Sequence, residues 1–323
     1  MRVITDAPPL VGTVFAVANA TLGRSPLYQS FRTNGVSRDE FHRYIESRAQ
    51  DLLSAGVPGS DLPFMKRFPR NPHAYAQRVL ADLCRRGILP TATGDAMRLQ
   101  QTEWMMAGYQ HGPFKTFIYP EEGLLLAMIA DIVSPRHAVF LGSYYGYWAH
   151  WAIPAIVATG GKVTLIDPNE ASCDIARANL RANGFADHVD VVTAHGESYL
   201  AGSGETFDLV VLDAENPRDH PDPEQRGKRV YHSLMRACLP RLAPAALLVC
   251  HNILFTDTSG DRAFTKVIAR NREELAPFAE LVASRFAPFV EYRTTEGVGI
   301  GRLSDTPSNQ RWPIAADIDV DAT

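Results

Sequence analysis

The pattern of apolar and polar positions divides the chain into two parts. In the first part, apolar residues such as Phe41 and Ile45 recur at helical spacing, and Ser37 and Glu40 just ahead of them have the S-x-x-E spacing of a capping box. Two further helices are predicted, over residues 73–86 and 96–109. The pattern contains no strand here. Residues 1–114 are therefore predicted to form a helical accessory region.

The second part alternates short apolar runs with helical segments. Strands are predicted over residues 138–141, 162–166, 189–193, 207–212 and 246–250, and helices over residues 121–133, 146–158, 170–183, 229–239 and 263–274. A hairpin is predicted over residues 286–292 and 298–303. The alternation predicts an α/β, Rossmann-like fold whose mostly parallel sheet ends in an antiparallel hairpin. This domain spans residues 115–305, and residues 306–323 are predicted to be a loose tail.

One run without any charged residue, residues 138–161, is long enough to cross a bilayer. Gly142, Gly146 and Pro154 interrupt it, and a second strand pattern follows at once. These interruptions favour a buried strand joined to a buried helix. No membrane association is expected.

Composition narrows the function classes. The chain has 323 residues, of which 46% are hydrophobic and 21% charged, as is usual for soluble globular proteins. A net charge of −4 without a basic stripe argues against nucleic acid as a partner. The four cysteines have no CxxC spacing, which fits a reducing cytoplasm. Asp6 and the pair Pro8-Pro9 argue against a secretory signal.

Candidate chemistry lies where the predicted parallel strands end, because ligands bind at that edge of such sheets. The turn from Gly142 to Gly146, "GSYYG", lets a ligand approach main-chain N–H groups at a helix start. Asp167 follows the second strand and is either a ribose acceptor or the N-cap of the next helix. Asp213 ends the fourth strand. His251, which follows the fifth, is by itself as consistent with a structural histidine.

Taken together and in order, these segments resemble the class I S-adenosylmethionine-dependent methyltransferases. Within that class they resemble the catechol and caffeoyl-coenzyme A type O-methyltransferases. The segments that carry the resemblance are "YPEEGLLLAMIADIVSPRHAVFLGSYYGYWA", "VTLIDPN", "FDLVVLDAEN" and "LLVCHNIL". The resemblance covers residues 115–303 and implies methyl transfer from S-adenosylmethionine to a small-molecule acceptor, most often at a hydroxyl oxygen.

The resemblance also implies roles for individual residues. The positions implied to bind the cofactor are Ile118, Gly142, Tyr144, Gly146, Asp167, Gly196, Glu197 and Asp213. The positions implied for catalysis and for a divalent metal such as Mg²⁺, Mn²⁺ or Fe²⁺ are Asp213, His251 and Asn252. We expect a metal site at these three residues, because one carboxylate, one imidazole and one amide suit a borderline transition metal.

Three positions depart from the pattern of that family. His251 stands where a second metal-binding Asp is usual, Asn216 stands where the catalytic Lys is usual, and Phe140 replaces an acid of the first strand. These departures keep a metal-independent O- or N-methyltransferase open, with His251 or Asp213 as the base. A methyltransferase-fold binding protein also stays open. A nicotinamide oxidoreductase is disfavoured by the missing G-x-G-x-x-G.

Two regions are candidates for the acceptor side. The charged, proline-containing loop 216–226 follows Asp213 directly and either borders an acceptor pocket or is a solvated turn. The helical region 1–114 is expected to cover the acceptor site, alone or from the partner subunit of a homodimer. Residues 111–117 would then enter that site, with Lys115 as a polar contact.

Overall fold

The computed structural model describes residues 13–113, 115–256, 262–310 and 312–321. Its first part is helical, as predicted, and the Ser37 hydroxyl and Glu40 carboxylate form the predicted capping box. The helices of this part are α1 (Val14–Leu22), α2 (Pro26–Arg32), α3 (Arg38–Ser47), α4 (Ala49–Ser54), α5 (Leu62–Met65), α6 (Pro72–Arg85) and α7 (Ala96–Ala107).

The second part alternates helices and strands. Its elements are α8 (Pro120–Val133), β1 (His137–Leu141), α9 (Tyr147–Ala158), β2 (Lys162–Asp167), α10 (Glu170–Ala182), β3 (Val189–Thr193), α11 (Gly196–Gly202), β4 (Phe207–Leu212), α12 (Val230–Cys238), β5 (Leu242–His251), α13 (Arg262–Glu274), α14 (Ala276–Arg285), β6 (Phe286–Tyr292), β7 (Val298–Leu303) and β8 (Ile314–Ala315).

The strands form one sheet in the order β3-β2-β1-β4-β5-β7-β6-β8. Strands β1 to β5 are parallel, and β7 runs antiparallel between β5 and β6. The chain leaves β1 in one direction to β3 and returns on the other side with β4. The order therefore switches between β1 and β4, where a crevice opens at the carboxyl ends. The predicted fold class is confirmed.

The central strands form because their apolar runs are buried on both faces. Val139 in β1 and Leu209 and Val210 in β4 are fully buried. The uncharged run of residues 138–161 is divided between β1, the glycine turn and α9. Within the part of the chain that the structure describes, no helix is both long and apolar enough to cross a membrane.

The helical region packs in two ways. Helices α1 to α4 and the residues around α5 surround a small core of their own, in which the rings of Phe31 and Phe41 stack 3.8 Å apart. Helices α6 and α7 instead join the main core with α8 and α9. The packing therefore crosses the boundary predicted at residue 114, because the apolar faces of α6 and α7 cover the sheet domain.

The C-terminal tail was predicted to be loose, and its described residues contradict this. Ile314 and Ala315 form β8 on the outer edge of β6. The Asp321 carboxylate forms ion pairs with Arg38 and Arg70, at 3.1 Å from Nε of Arg70. A polar segment of this kind is ordered because its backbone extends a sheet edge and its carboxylate meets two guanidinium groups.

Candidate active site

Three left-handed residues shape the turn after β1. Gly142 (φ 79°), Tyr144 (φ 50°) and Gly146 (φ 76°) all have positive φ. Position 142 requires glycine, because a Cβ there would lie 2.5 Å from the carbonyl oxygen of Asp213. Tyr144 adopts the same region with a side chain, at a cost of about 1–3 kcal/mol. The turn thus holds the end of β1 against the end of β4.

The main-chain N–H groups of this turn already have partners. Those of Gly142 and Ser143 donate to the carbonyl of Ile166, both at 3.0 Å, and that of Tyr144 donates to Oδ2 of Asp167 at 2.9 Å. These three groups are therefore engaged within the protein, and the expectation of ligand contact at the start of α9 stays a prediction. The Ser143 hydroxyl is shielded from solvent and has no hydrogen-bond partner among the described residues. It can therefore receive a polar group of a bound ligand.

Asp167 ends β2 with only 8% of its surface exposed. Its Oδ1 accepts from the N–H of Asn169, and burial raises the pKa of the carboxyl while its two backbone donors oppose that rise. The side chain of Asn169 caps α10 by accepting from the N–H of Ser172. The N-cap alternative for Asp167 is therefore wrong. Each of its oxygens accepts one hydrogen bond and retains a lone pair for a ligand hydroxyl.

A cleft of about 290 Å³ lies beside this turn, at the carboxyl ends of the strands. Its lining residues are Gly142, Ile166, Pro168, His195, Gly196, Glu197, Ser198, Ala214, Asn216, His220, Gln225, Val230 and Leu234. Three predicted cofactor residues, Gly142, Gly196 and Glu197, thus border one space. The other five predicted cofactor residues, Ile118, Tyr144, Gly146, Asp167 and Asp213, are not among the lining residues.

Glu197 and Gly196 have defined positions on the cleft wall. The hydroxyl of Ser233 in α12 donates to the Glu197 carboxylate at 2.5 Å. A Cβ at position 196 would lie 2.5 Å from Leu234, so α11 packs closely against α12 here. The cleft therefore has one fixed carboxylate opposite the glycine turn.

Four side chains form a row next to this cleft, which we call the charged cluster: Glu122, His251, Asp213 and Lys228. Oε2 of Glu122 lies 3.0 Å from Nε2 of His251, and Nδ1 of His251 lies 3.4 Å from Oδ2 of Asp213. Oδ1 of Asp213 lies 3.3 Å from Nζ of Lys228. Two acids and two bases therefore alternate along the row.

The row fixes the charge of its inner members. Burial alone would lower the pKa of His251, but the carboxylates of Glu122 and Asp213 raise it to about 10. Burial would raise the pKa of Asp213, but His251 and Lys228 hold it well below its usual range. At neutral pH the pair is therefore an imidazolium and a carboxylate. Asp213 is the more accessible of the two, with 29% of its side chain exposed against 1% for His251.

Glu122 is the buried end of the row, and each of its oxygens accepts two hydrogen bonds. Oε1 accepts from the Thr294 hydroxyl at 2.7 Å and from the N–H of Glu296 at 2.9 Å. Oε2 accepts from the N–H of Tyr119 and faces His251. The residue lies in the first turn of α8, where the helix dipole favours a carboxylate.

Asn252 follows β5 with a positive φ of 56°. Its amide nitrogen donates to Oε2 of Glu296 at 2.9 Å, and its carbonyl accepts from the side chain of Asn271. The amide is thus held by the loop between β6 and β7. It shares the end of β5 with His251 but has its own carboxylate partner.

The donor chemistry of Asp213, His251 and Asn252 does not fit a divalent metal. An ion beside Asp213 would be repelled by the ammonium of Lys228 and the imidazolium of His251, and an imidazolium has no lone pair to offer a metal. Within residues 13–113, 115–256, 262–310 and 312–321, no group of three His, Cys, Asp or Glu side chains is arranged to hold a metal. The expected metal ligands are therefore brought together, but as an ion-pair row.

Two members of the row were not predicted. Glu122 lies within the quoted segment "YPEEG", where two acids at the head of an otherwise apolar helix were a usable signal. Lys228 gave no such signal. It reaches Asp213 because the backbone of Asn216 pairs with Gly227 and closes the loop between them.

Comparison with known proteins agrees with this geometry. Residues 139–253 match the family model of a methyltransferase domain. A catechol O-methyltransferase of Mycobacterium tuberculosis is 32% identical over 97 residues, which are 29% of this chain and 43% of that protein. A catechol O-methyltransferase of Niastella koreensis is 24% identical over 143 residues, which are 42% of this chain and 58% of that protein. The matches thus span about half the length of these relatives.

Among solved structures, an SAH-bound methyltransferase of Podospora anserina has the same fold. The TM-score is 0.50 at 17% identity, over 71% of this chain and 95% of that one. Residues 139–253 are thus similar to a methyltransferase domain, and the predicted Rossmann-like fold of that class is confirmed.

Proposed function

We propose that this protein transfers a methyl group from S-adenosylmethionine to a hydroxyl oxygen of a small molecule. The observation that carries the proposal is the cleft at the switch between β1 and β4, which has the glycine turn on one side and the charged cluster beside it. The names of the two matched relatives, both catechol O-methyltransferases, favour an aromatic diol as the acceptor.

The residues of the cleft suit the cofactor. Asp167 has a free lone pair on each oxygen for the ribose hydroxyls, and Glu197 lies on the wall where the adenine is expected. The shielded Ser143 hydroxyl offers a partner for the polar methionine end. S-adenosylmethionine supplies an activated methyl group on a sulfonium centre.

The chain must then orient the acceptor and accept its proton. Asp213 is the best candidate for the base that accepts this proton, because its carboxylate is ionised and partly exposed next to the cleft. His251 is a poor base, since both of its nitrogens face carboxylates and it is buried. The alternative with His251 as the base is therefore disfavoured, and Asp213 remains for O- or N-acceptors.

The loop 216–226 is proposed to form the acceptor side. Asn216, His220 and Gln225 line the cleft opposite the glycine turn. The helical region reaches the neighbouring loop through Arg67, whose guanidinium donates to the carbonyls of Thr294 and Thr295. Three expectations remain predictions: that the helical region covers the acceptor site, that residues 111–117 enter this site, and that the protein forms a homodimer in the cytoplasm.

Calorimetric titration of the full chain tests the cofactor. We expect S-adenosylmethionine and S-adenosylhomocysteine to bind with one site per chain, and NAD to give no heat. Binding of NAD alone would support an oxidoreductase instead. Mass-spectrometric detection of a methylated product, with a set of simple catechols as acceptors, separates an active enzyme from a binding protein.

A further inference from the structure

We propose that the ammonium group of Lys228 takes the place of the divalent metal in this site, binding the acceptor oxygen beside Asp213. This inference rests on the proposed methyl transfer to a hydroxyl oxygen. It assigns to Lys228 the positive charge that the family resemblance assigns to a metal ion.

The position of the ammonium group carries the argument. Nζ of Lys228 lies 3.3 Å from Oδ1 of Asp213, the oxygen that would otherwise face a metal. It also lies 3.3 Å from the hydroxyl of Tyr231. An ammonium group has three N–H donors, and beyond these two partners the third has only the Glu215 carboxylate, 4.0 Å away, which is too far for a hydrogen bond. The positive charge that a metal would supply is therefore already part of the chain.

The backbone holds Lys228 at this place. The N–H of Asn216 donates to the carbonyl of Gly227 at 3.1 Å, which ties the two ends of the intervening loop together. The N–H of Lys228 itself donates to the Glu274 carboxylate at 3.0 Å. Asn216 occupies the place of the family's lysine in sequence, and the closed loop brings Lys228 next to it in space.

The ion pair of Lys228 and Asp213 lies behind the wall of the cleft. Lys228 is buried with 5% of its surface exposed, while Ala214, next to Asp213, and Val230, two residues after Lys228, line the cleft. One oxygen of Asp213 faces His251, which is held between two carboxylates. Because 29% of the Asp213 side chain is exposed, an acceptor hydroxyl on this proposal reaches the pair from the cleft side.

The methyl-transfer step balances in atoms and charge without a metal. As the acceptor oxygen forms its bond to the methyl carbon, the bond from that carbon to sulfur breaks and the hydroxyl proton passes to Asp213. The ammonium group stabilises the negative charge that develops on the acceptor oxygen. A charge in a water-poor site acts more strongly than in bulk water.

Metal binding is the first test and needs no acceptor. Mn²⁺ is titrated into the chelator-treated full chain with S-adenosylhomocysteine present, and free Mn²⁺ is measured by electron paramagnetic resonance. We expect no binding below about millimolar Mn²⁺. Tight binding that disappears in Asp213→Asn would overturn the inference. If S-adenosylhomocysteine itself fails to bind in calorimetry, the proposed function fails, whereas tight Mn²⁺ binding by a chain that does bind S-adenosylhomocysteine overturns this inference alone.

The second test uses 4-nitrocatechol, whose ionisation is visible in its absorption spectrum. We expect the wild-type protein to lower the pKa of the bound probe by at least one unit, a tenfold shift in its ionisation. Lys228→Met should lose this shift and Lys228→Arg should keep most of it, with unchanged S-adenosylhomocysteine affinity in both. Equal spectra for wild type and Lys228→Met, or a wild-type protein that does not perturb or bind the probe, would count against the inference.

Discussion

The cofactor cleft and the charged cluster lie at the same edge of the sheet but are built differently. The cleft is shaped by backbone, namely a turn with three positive φ angles and the strand ends, and has one acid, Glu197, on its wall. The charged cluster is made by four side chains from α8, β4, β5 and the loop before α12. The glycine turn agrees with the family pattern, whereas the charged cluster departs from it at His251.

Glu122→Ala should produce the largest effect and tests whether the charged cluster is a unit. The substitution removes the acceptor of four hydrogen bonds and leaves the buried His251 with one carboxylate partner instead of two. We expect the free energy of unfolding to fall by roughly 3–5 kcal/mol. Denaturant unfolding measures it, with Glu280→Ala on an exposed position as the control. Equal losses in the two variants would show that the row is not a unit.

Glu121→Gln should produce a smaller effect that depends on pH. Burial and the neighbouring Glu122 raise the pKa of Glu121 to about 7 from 4.5, despite hydrogen bonds from Thr295. Between these pH values the folded state binds more protons than the unfolded state, so this contribution to stability is present below pH 4.5 and is lost as pH rises through 7. A glutamine at this position does not ionise, so its contribution to stability does not depend on pH.

The stability of Glu121→Gln relative to wild type should therefore rise by about 2–3 kcal/mol between pH 4.5 and pH 8. Unfolding curves at a series of pH values measure the difference. The exposed Glu280→Gln should show no such trend. A pH-independent difference for Glu121→Gln would mean that this carboxyl ionises normally in the folded state.

Asp167→Ala should produce the smallest effect and tests the cleft alone. Loss of the acceptor for the ribose hydroxyls should weaken S-adenosylmethionine binding by roughly 1–3 kcal/mol. Isothermal titration calorimetry measures the affinity, and Asp187→Ala in an exposed turn is the control. The Mn²⁺ and 4-nitrocatechol results should not depend on Asp167. Unchanged affinity would remove Asp167 from the cofactor site and leave the glycine turn as its main determinant.

The sequence predicted the features that depend on neighbours along the chain. Strands β1 and β4 contain the uninterrupted apolar runs 138–141 and 209–212, and the glycine turn follows from two residues that tolerate positive φ. Helix α6 was predicted within a residue at each end, since Asn71 and Pro72 start it. Local pattern was sufficient in these cases because the physical cause lies within a few residues.

The charged cluster could not be predicted in the same way. Glu122 and His251 are 129 positions apart, and no periodicity relates them. Lys228 depends on how a loop closes, which is set by one backbone pair between Asn216 and Gly227. The metal was expected from the types of three residues, but whether their lone pairs are free depends on partners that only the folded chain brings near. The prediction of a loose tail was wrong for a similar reason, because the ion-pair partners of Asp321 lie in α3 and after α5.

The carboxylate of Glu122 has its hydrogen-bonding capacity fully used, and this limits which substitutions the site can accept. His251→Asp alone would place a carboxylate between those of Glu122 and Asp213 and would remove the cation that separates them. His251→Asp alone should therefore be tolerated only if another cation takes the place of the imidazolium between these carboxylates. Position 251 should accordingly be epistatic with position 228, the other source of positive charge beside Asp213.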